Sequence, residues 1–260
     1  MDSVLIVGCG DIGLRLAGLC SDTPVTGLVR TQQSLARLRA RQVLPKRLDL
    51  DAPFAAGDLM AADSQLYYLA PPPPHGETDP RVEAVCAALR GPHRPRKVVY
   101  LSTTAVYGDC GGRWIDETAP LQPGTARGRR RLDAERRWLR WGDSQGVPVV
   151  VLRVPGIYGP GRLPLERLRK GVPVLAEQDS PFTNRIHADD LRSVAEFMVR
   201  FMSSDELLSG DLENRFRDRD GRWRWFLSNI TKITYAGTPA MQVVVRDITR
   251  RKLAEQERAT

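Results

Sequence analysis

Residues 4–13 read Val4-Leu5-Ile6-Val7-Gly8-Cys9-Gly10-Asp11-Ile12-Gly13, and this stretch decides the fold. The apolar run at its start is typical of a buried strand in a parallel sheet. The three glycines have the spacing GxGxxG, which occurs where such a strand turns sharply into a helix. We expect Gly8 to allow the turn, Gly10 to let a pyrophosphate approach the backbone, and Gly13 to let the helix pack on the sheet. The stretch therefore predicts a dinucleotide site, and the alternative is a purely structural turn.

The composition is that of a globular protein with a real core. The chain has 260 residues, of which 42% are hydrophobic, enough for one large α/β domain or two smaller ones. Its four cysteines show no paired or metal-like spacing, which favours reduced thiols in the cytoplasm. No apolar run approaches the ~20 residues that span a bilayer, and no secretory leader is evident. We expect a soluble cytoplasmic protein without a membrane partner.

The net charge of +8 has two interpretations. Basic residues are spread along the chain and are dense only between Arg127 and Arg137. That run could bind an acidic ligand or a nucleic acid. Because no nucleic-acid module accompanies it, we favour solvated helix faces and predict no nucleic-acid partner.

The second predicted strand runs from Val25 to Val29, and the residues that follow it determine whether a dinucleotide site prefers NAD or NADP. A site that prefers NAD usually places an acidic residue about 20 residues after the glycines, where it binds the ribose 2′-hydroxyl. This chain has Arg30 and Thr31 instead, a cation and a hydroxyl that suit a 2′-phosphate. The sequence therefore predicts NADP, with NAD as the second choice. The alternative is that Arg30 is a solvated loop residue.

Strands and helices alternate through the first two thirds of the chain. Further strands are predicted near residues 43–48, 65–69, 97–101 and 147–153, and helices over residues 32–41, 80–89 and 129–141. This alternation predicts an α/β fold, a Rossmann-type doubly wound parallel sheet.

Four motifs, in order, resemble those of a known family. They are Val7 to Gly13, Leu101 to Gly108 (LSTTAVYG), Leu152 to Arg162 (LRVPGIYGPGR) and Asn184 to Leu191 (NRIHADDL). Together they resemble the extended short-chain dehydrogenase/reductases, the NAD(P)-dependent epimerase/dehydratase relatives. The resemblance covers residues 1 to about 191, and we assign residues 1–190 to a dinucleotide-binding domain with a truncated substrate lobe.

The resemblance implies an oxidoreductase that uses a nicotinamide dinucleotide, and it extends the predicted cofactor site beyond the glycines. Pro155 and its neighbours would lie beside the nicotinamide. The predicted cofactor-binding residues are Gly8, Gly10, Asp11, Ile12, Gly13, Arg30, Thr31, Asp49, Leu50, Leu69, Ala70, Pro71, Ser102, Arg131 and Pro155.

The chain departs from the family where the chemistry is expected. The family's acid/base is a Tyr four residues before a Lys, and here those positions hold Arg127 and Arg131. A guanidinium cannot exchange protons near neutral pH, although Arg131 could still bind a ribose. The remaining catalytic candidates are Ser102, Thr103 and Tyr107, each with a structural role as the alternative. The chain thus resembles the atypical members of the family.

The segment from His187 to Asp190 could suggest a metal site. The chain has only three histidines and no second cluster of ligands, so we predict no metal. Asp189 is interpreted as a helix cap beside a satisfied histidine.

The last 70 residues, 191–260, have a different pattern. A helix from Arg192 to Met202 is followed by three strands, a hairpin signal at Asp220-Gly221 and a charged final helix. Residues 216–225 and 243–252 resemble the second half of a PAS sensory domain. We therefore predict a small antiparallel α+β segment after the Rossmann-type domain, able to self-associate through its sheet or its final helix.

Two functions from different classes follow. The first is an NADP-preferring oxidoreductase acting on a small carbonyl or sugar-nucleotide substrate, with weak or lost catalysis. The alternative is a non-catalytic, dinucleotide-sensing or signalling module coupled to the PAS-like segment. A third interpretation, an accidental fusion with neither activity, stays open.

Overall fold

The structure is a computed structural model that describes residues 3–20, 23–113, 115–159, 169, 185–188, 209–217, 222–235 and 238–258. The chain divides into two compact units, residues 1–188 and residues 189–260. Within the described ranges, no helix is both long and apolar enough to cross a membrane.

The first unit is built on a parallel sheet of six strands. These are β1 (Ser3–Val7), β2 (Val25–Val29), β3 (Leu44–Arg47), β4 (Ser64–Tyr68), β5 (Lys97–Thr103) and β6 (Val149–Val154). Their order is β3-β2-β1-β4-β5-β6, so the connections reverse direction between β1 and β4. A reversal of this kind opens a crevice at the carboxyl ends of the strands. The predicted Rossmann-like parallel sheet is confirmed.

Five helices connect these strands. They are α1 (Asp11–Ala17), α2 (Gln32–Arg39), α3 (Ala56–Leu59), α4 (Pro80–Ala88) and α5 (Ala126–Gln145), with 3-10 turns at Gly91–His93 and Thr104–Tyr107. Helix α5 extends beyond the predicted residues 129–141 at both ends. Thr125 caps its start by accepting a hydrogen bond of 3.1 Å from the Gly128 N–H. Gly146 ends it in the left-handed conformation, at a φ of 64°.

Strand β1 lies at the centre of the sheet because its side chains are apolar without interruption. Val4 to Val7 are each no more than 4% exposed. The register pairs Val7 with Leu28 on β2 and with Tyr68 on β4. The carboxyl ends of these three strands therefore lie side by side, which brings together the loops that follow them.

An aromatic cluster fixes α5 over β4 and β5. Trp138, Tyr68 and Tyr100 are fully buried, and the Trp138 ring meets the Tyr68 ring edge-on at 5.4 Å. Trp141 packs on Trp138 and donates its indole N–H to the Leu89 carbonyl at 3.0 Å, which joins α5 to the end of α4. Such aromatic pairs add about 0.5–1.5 kcal/mol to the energy of burial. The second half of α5 is thereby held against the sheet and the end of α4.

The proline-rich segment after β4 leads into α4 through a buried cap. Asp79 is fully buried, and one of its oxygens accepts the backbone N–H groups of Arg81 and Val82 at 3.1 and 3.3 Å. Burial raises the pKa of the Asp79 carboxyl. The cap fixes the first turn of α4, and with it the direction of the Arg81 side chain.

Two short strands follow β6 in the first unit. They are β7 (Gly156–Tyr158) and β8 (Arg185–His187), which pair in parallel. The predicted cap at Asp189 and the predicted helix over residues 192–202 lie outside the described residues.

The second unit contains three antiparallel strands and a helix. These are β9 (Ser209–Arg217), β10 (Trp223–Tyr235), β11 (Thr238–Asp247) and α6 (Thr249–Arg258), with β10 in the middle of the sheet. The Trp225 N–H donates to the Thr249 hydroxyl at 2.9 Å, which ties the start of α6 to β10. Resemblance of this unit to a PAS domain stays a prediction.

Candidate functional site

The turn after β1 touches the end of β4 so closely that a side chain has no room. Gly8 has a φ of 81°, and a Cβ built there would lie 2.5 Å from the backbone nitrogen of Ala70. Both the left-handed conformation and this approach require glycine. The close contact brings the turn and the Ala70 segment to one edge of the sheet.

The other two glycines of the turn have opposite surroundings. A Cβ on Gly10 would meet no atom nearer than the Gly8 oxygen at 4.0 Å, so the chain itself leaves that space open. A Cβ on Gly13 would lie 3.1 Å from both the Cys9 sulfur and an Ile6 methyl, because α1 packs tightly on β1. Open space at Gly10 beside tight packing at Gly13 is the arrangement that a backbone-bound phosphate needs.

A cavity of about 520 Å³ lies at this edge, along the carboxyl ends of β1, β2 and β4. The predicted cofactor residues that line it are Gly8, Gly10, Arg30, Thr31, Asp49, Leu50, Ala70 and Pro71. Leu69, Ser102, Arg131 and Pro155 are not among its lining residues, and neither are Asp11, Ile12 and Gly13, which lie in the first turn of α1. The structure thus brings together the adenosine half of the predicted site in one cavity.

Polar groups gather where β2 ends. The Thr31 hydroxyl caps α2 by accepting the Ser34 N–H at 3.2 Å, and it lies 2.8 Å from the Ser34 hydroxyl. The Arg30 side chain is 62% exposed, and the Arg30 carbonyl accepts a hydrogen bond of 3.2 Å from Arg47. A guanidinium and two hydroxyls therefore lie together at the end of β2.

Arg81, which the sequence did not single out, forms one wall of the cavity. Its guanidinium donates two hydrogen bonds to the Asp51 carboxylate, at 2.6 and 2.5 Å, and a third to the Pro71 carbonyl at 2.8 Å. The hydrogen bond from Arg81 is the largest cause of the lowered pKa of Asp51. The partners are thirty residues apart along the chain and no motif joins them, so no signal in the sequence could have paired them.

The three catalytic candidates at the end of β5 all make contacts within the protein. The Ser102 hydroxyl donates to the buried carboxylate of Glu135. The Thr103 hydroxyl accepts the Ala105 N–H at 3.3 Å and caps the 3-10 turn. The Tyr107 hydroxyl accepts a hydrogen bond of 2.9 Å from Arg153. None of the three lines the described cavity.

A buried ion pair organises this end of the sheet. Glu135 on α5 is 1% exposed, and its carboxylate accepts hydrogen bonds of 2.9 to 3.3 Å from Arg153 on β6. The Arg153 guanidinium also lies 5.0 Å from the centre of the Tyr107 ring. One signal could have revealed Glu135, because it shares the inward stripe of α5 with Leu132 and Trp138, where an acidic residue is unexpected.

The two arginines in the family's catalytic positions differ in their surroundings. Arg131 donates to the Leu101 carbonyl at 2.9 Å and to the Tyr100 hydroxyl at 3.2 Å, so its guanidinium is held at the end of β5. Arg127 is exposed in the first turn of α5. Neither supplies a proton near neutral pH.

Cys9 and Cys20 are buried, free thiols. Burial raises the pKa of the Cys9 thiol to about 12 and that of Cys20 to about 11, so neither forms a thiolate near neutral pH. The described residues hold no group of three or more potential metal ligands. The side chain of His187 and residues 189–190 lie outside them.

The strand order, the switch point and the glycine turn define a Rossmann-type unit. Residues 82–180 match the model of the NAD dependent epimerase/dehydratase family. Protein YeeZ of Escherichia coli (strain K12) is 34% identical over 177 residues, which are 63% of this chain and 62% of YeeZ. The chain thus spans less than two thirds of the curated relative that it matches.

Solved structures with the same fold include proteins with and without a stated activity. A functionally unknown conserved protein from Silicibacter pomeroyi is 30% identical, with a TM-score of 0.60 over 79% of this chain and 70% of that one. UDP-glucuronic acid 4-epimerase from Bacillus cereus, in complex with UDP-glucuronic acid and NAD, is 18% identical, with a TM-score of 0.63 over 79% and 74%. At that identity the likeness shows the fold alone. Residues 82–180 are therefore similar to the NAD-dependent epimerase/dehydratase family, and the first unit shares the Rossmann-type fold of these structures.

Replacing Gly10 tests whether its open space is a ligand site. We expect Gly10→Val to abolish dinucleotide binding and to leave unfolding unchanged, because the protein has no atom within contact distance of the new Cβ. Gly57→Val is the matched control, since a Cβ on Gly57 also meets nothing within 4 Å and lies outside the cavity. Fluorescence titration with NADPH and circular dichroism measure both effects. Undiminished binding by a folded Gly10→Val protein would contradict the assignment.

The Glu135–Arg153 pair makes a prediction about stability. Glu135→Gln leaves a guanidinium without its buried counter-charge, and we expect a loss of about 3 kcal/mol in the free energy of unfolding. The cycle consists of four proteins, the wild type, Glu135→Met, Arg153→Met and the double Met variant, whose loss should be smaller than the sum of the two single losses. Urea unfolding of the four proteins gives the coupling energy, and strictly additive losses would show that the pair does not act as a unit.

Proposed function

We propose that the protein binds a nicotinamide dinucleotide in the cavity at the ends of β1, β2 and β4. The observation that carries the proposal is the open space at Gly10, next to the lining residues Gly8 and Ala70. The lining suits an adenosine, since apolar walls from Leu48 and Leu50 adjoin the polar end at Arg30. A bound nicotinamide would supply hydride transfer.

We propose NADP in preference to NAD. Arg30 is exposed toward solvent, and both Thr31 and Ser34 line the cavity, so a 2′-phosphate would meet one cation and two hydroxyls. The acidic residue that binds a ribose 2′-hydroxyl in NAD-preferring sites is absent from the end of β2. Bacillus cereus UDP-glucuronic acid 4-epimerase, which shares the fold, was solved with NAD, so NAD is the competing choice.

The substrate class that we propose is a small carbonyl compound or a sugar nucleotide. Members of the fold include UDP-glucuronic acid and UDP-N-acetylglucosamine 4-epimerases. Turnover in this chain is proposed to be weak or lost. Arg127 and Arg131 replace the acid/base pair, and the Ser102 hydroxyl already donates to Glu135.

The alternative is a binding module without catalysis, which reports nucleotide occupancy. One observation favours it: the hydroxyls of Ser102, Thr103 and Tyr107 are all hydrogen-bonded within the protein. The second unit would then carry the signal, and its sheet or final helix would be the surface for self-association. A cytoplasmic location is part of both proposals and agrees with the four free cysteines.

The choice of nucleotide is tested by titrating the wild type and Arg30→Asp with NADPH and NADH. We expect the wild type to bind NADPH more tightly. Arg30→Asp should weaken NADPH and spare or improve NADH, because a carboxylate repels the 2′-phosphate and accepts a hydrogen bond from a 2′-hydroxyl. Arg41→Asp, the same charge change on an exposed residue outside the cavity, is the control. A wild type that binds NADH at least as tightly would overturn the preference.

Turnover is tested with a panel of carbonyl compounds and sugar nucleotides. Loss of a positioned acid/base costs about 10²–10⁴ in rate, so we expect slow or undetectable oxidation of NADPH by the wild type. Arg127→Tyr combined with Arg131→Lys should recover part of the rate, and either change alone should not. Rapid oxidation by the wild type would contradict the proposed loss of catalysis and would leave the binding proposal intact.

A further inference from the structure

Asp51 directly follows the cavity-lining residue Leu50 and lies beside Arg81 and Arg30, at unequal distances. Arg81 binds both carboxylate oxygens, at 2.6 and 2.5 Å, whereas the nearest Arg30 nitrogen lies 3.7 Å from one of them. A bidentate arginine–carboxylate pair is shorter and stronger than a single contact at that longer distance. Arg81 is therefore the main counter-charge of Asp51.

The two arginines also differ in exposure and in hydrogen bonding. The Arg81 side chain is 12% exposed and is fixed by its third hydrogen bond, to the Pro71 carbonyl at 2.8 Å. The Arg30 side chain is 62% exposed. Arg30 can therefore turn toward a ligand without breaking a short hydrogen bond, while Arg81 stays on Asp51.

We propose that Arg81 determines the nucleotide specificity of the cavity, because it neutralises Asp51 and thereby keeps Arg30 available to a 2′-phosphate. The inference rests on the proposed NADP preference and adds a residue to which no role was assigned. Without Arg81, the carboxylate of Asp51 would take Arg30 as its partner. With Arg30 paired to that carboxylate, the site would lose the cation that favours a 2′-phosphate over a 2′-hydroxyl.

A purely structural role for Arg81 makes a different prediction. Arg81 lines the cavity and joins the loops after β3 and β4, so its loss could simply widen the adenosine end. A wider cavity would weaken NADPH and NADH by the same factor. The electrostatic role changes the ratio of the two dissociation constants, and removing the Asp51 charge should restore that ratio.

The experiment is a double-mutant cycle with dissociation constants for NADPH and NADH. The proteins are the wild type, Arg81→Met, Asp51→Asn and the double variant, each checked for its fold by circular dichroism. We expect Arg81→Met to lower the ratio of the NADH constant to the NADPH constant by about fivefold, the size typical of a partly exposed charge pair. Asp51→Asn and the double variant should keep a ratio close to that of the wild type.

Arg94→Met is the matched control, because Arg94 also donates to backbone carbonyls, those of Gly91 and Gln145. Arg94 lies before the amino end of β5, whereas the cavity lies at the carboxyl ends of the strands. It should leave the ratio unchanged. An Arg81→Met protein that weakens both nucleotides equally would overturn the inference, as would a double variant without rescue, and the proposed binding would survive either result. A wild type that binds neither nucleotide would overturn both proposals.

Discussion

The close approach of the Gly8 backbone to Ala70 is the constraint on which the rest of the first unit depends. It is possible only because β1 lies between β2 and β4 in parallel register, so that all three strands end at the same level. A turn with any side chain at position 8 would push β4 away from β1. The same contact places the start of α1, the Arg30 loop and the proline-rich segment around one cavity. The same backbone contact therefore determines both the strand packing and the position of the cavity.

Much of this could be predicted from the sequence, because the relevant signals are local. The ten residues 4–13, an apolar run followed by GxGxxG, specify a strand, a turn and the start of a helix. Arg30 is the residue directly after the next strand. What could not be predicted depends on contacts between distant segments. Arg81 meets Asp51 only because α4 begins beside the loop after β3, and neither residue belongs to a recognisable motif. The sequence predicted α5 only over residues 129–141, because the cap at Thr125 was not recognised ahead of the basic run.

The catalytic end of the site shows how residue types can mislead when their surroundings are unknown. Ser102 and Tyr107 are chemically suitable for proton transfer, yet both face a cluster built around a buried carboxylate. That carboxylate could have been suspected from its place on the apolar stripe of α5. Its partner, Arg153, occupies a strand position at which a charged residue is equally unusual. Two charged residues on elements that pack together, one of them on an apolar stripe, indicate such a pair.

The buried pair of Glu135 and Arg153 also limits how this protein can change over generations. Replacing either residue alone leaves the other charge uncompensated, fully buried for Glu135 and partly buried for Arg153, which is more costly than having neither charge. Single substitutions can therefore convert the charged pair into an apolar pair only through a protein that is less stable than either. Relatives of this chain should carry both charges or neither, so the two positions are expected to be inherited as one unit.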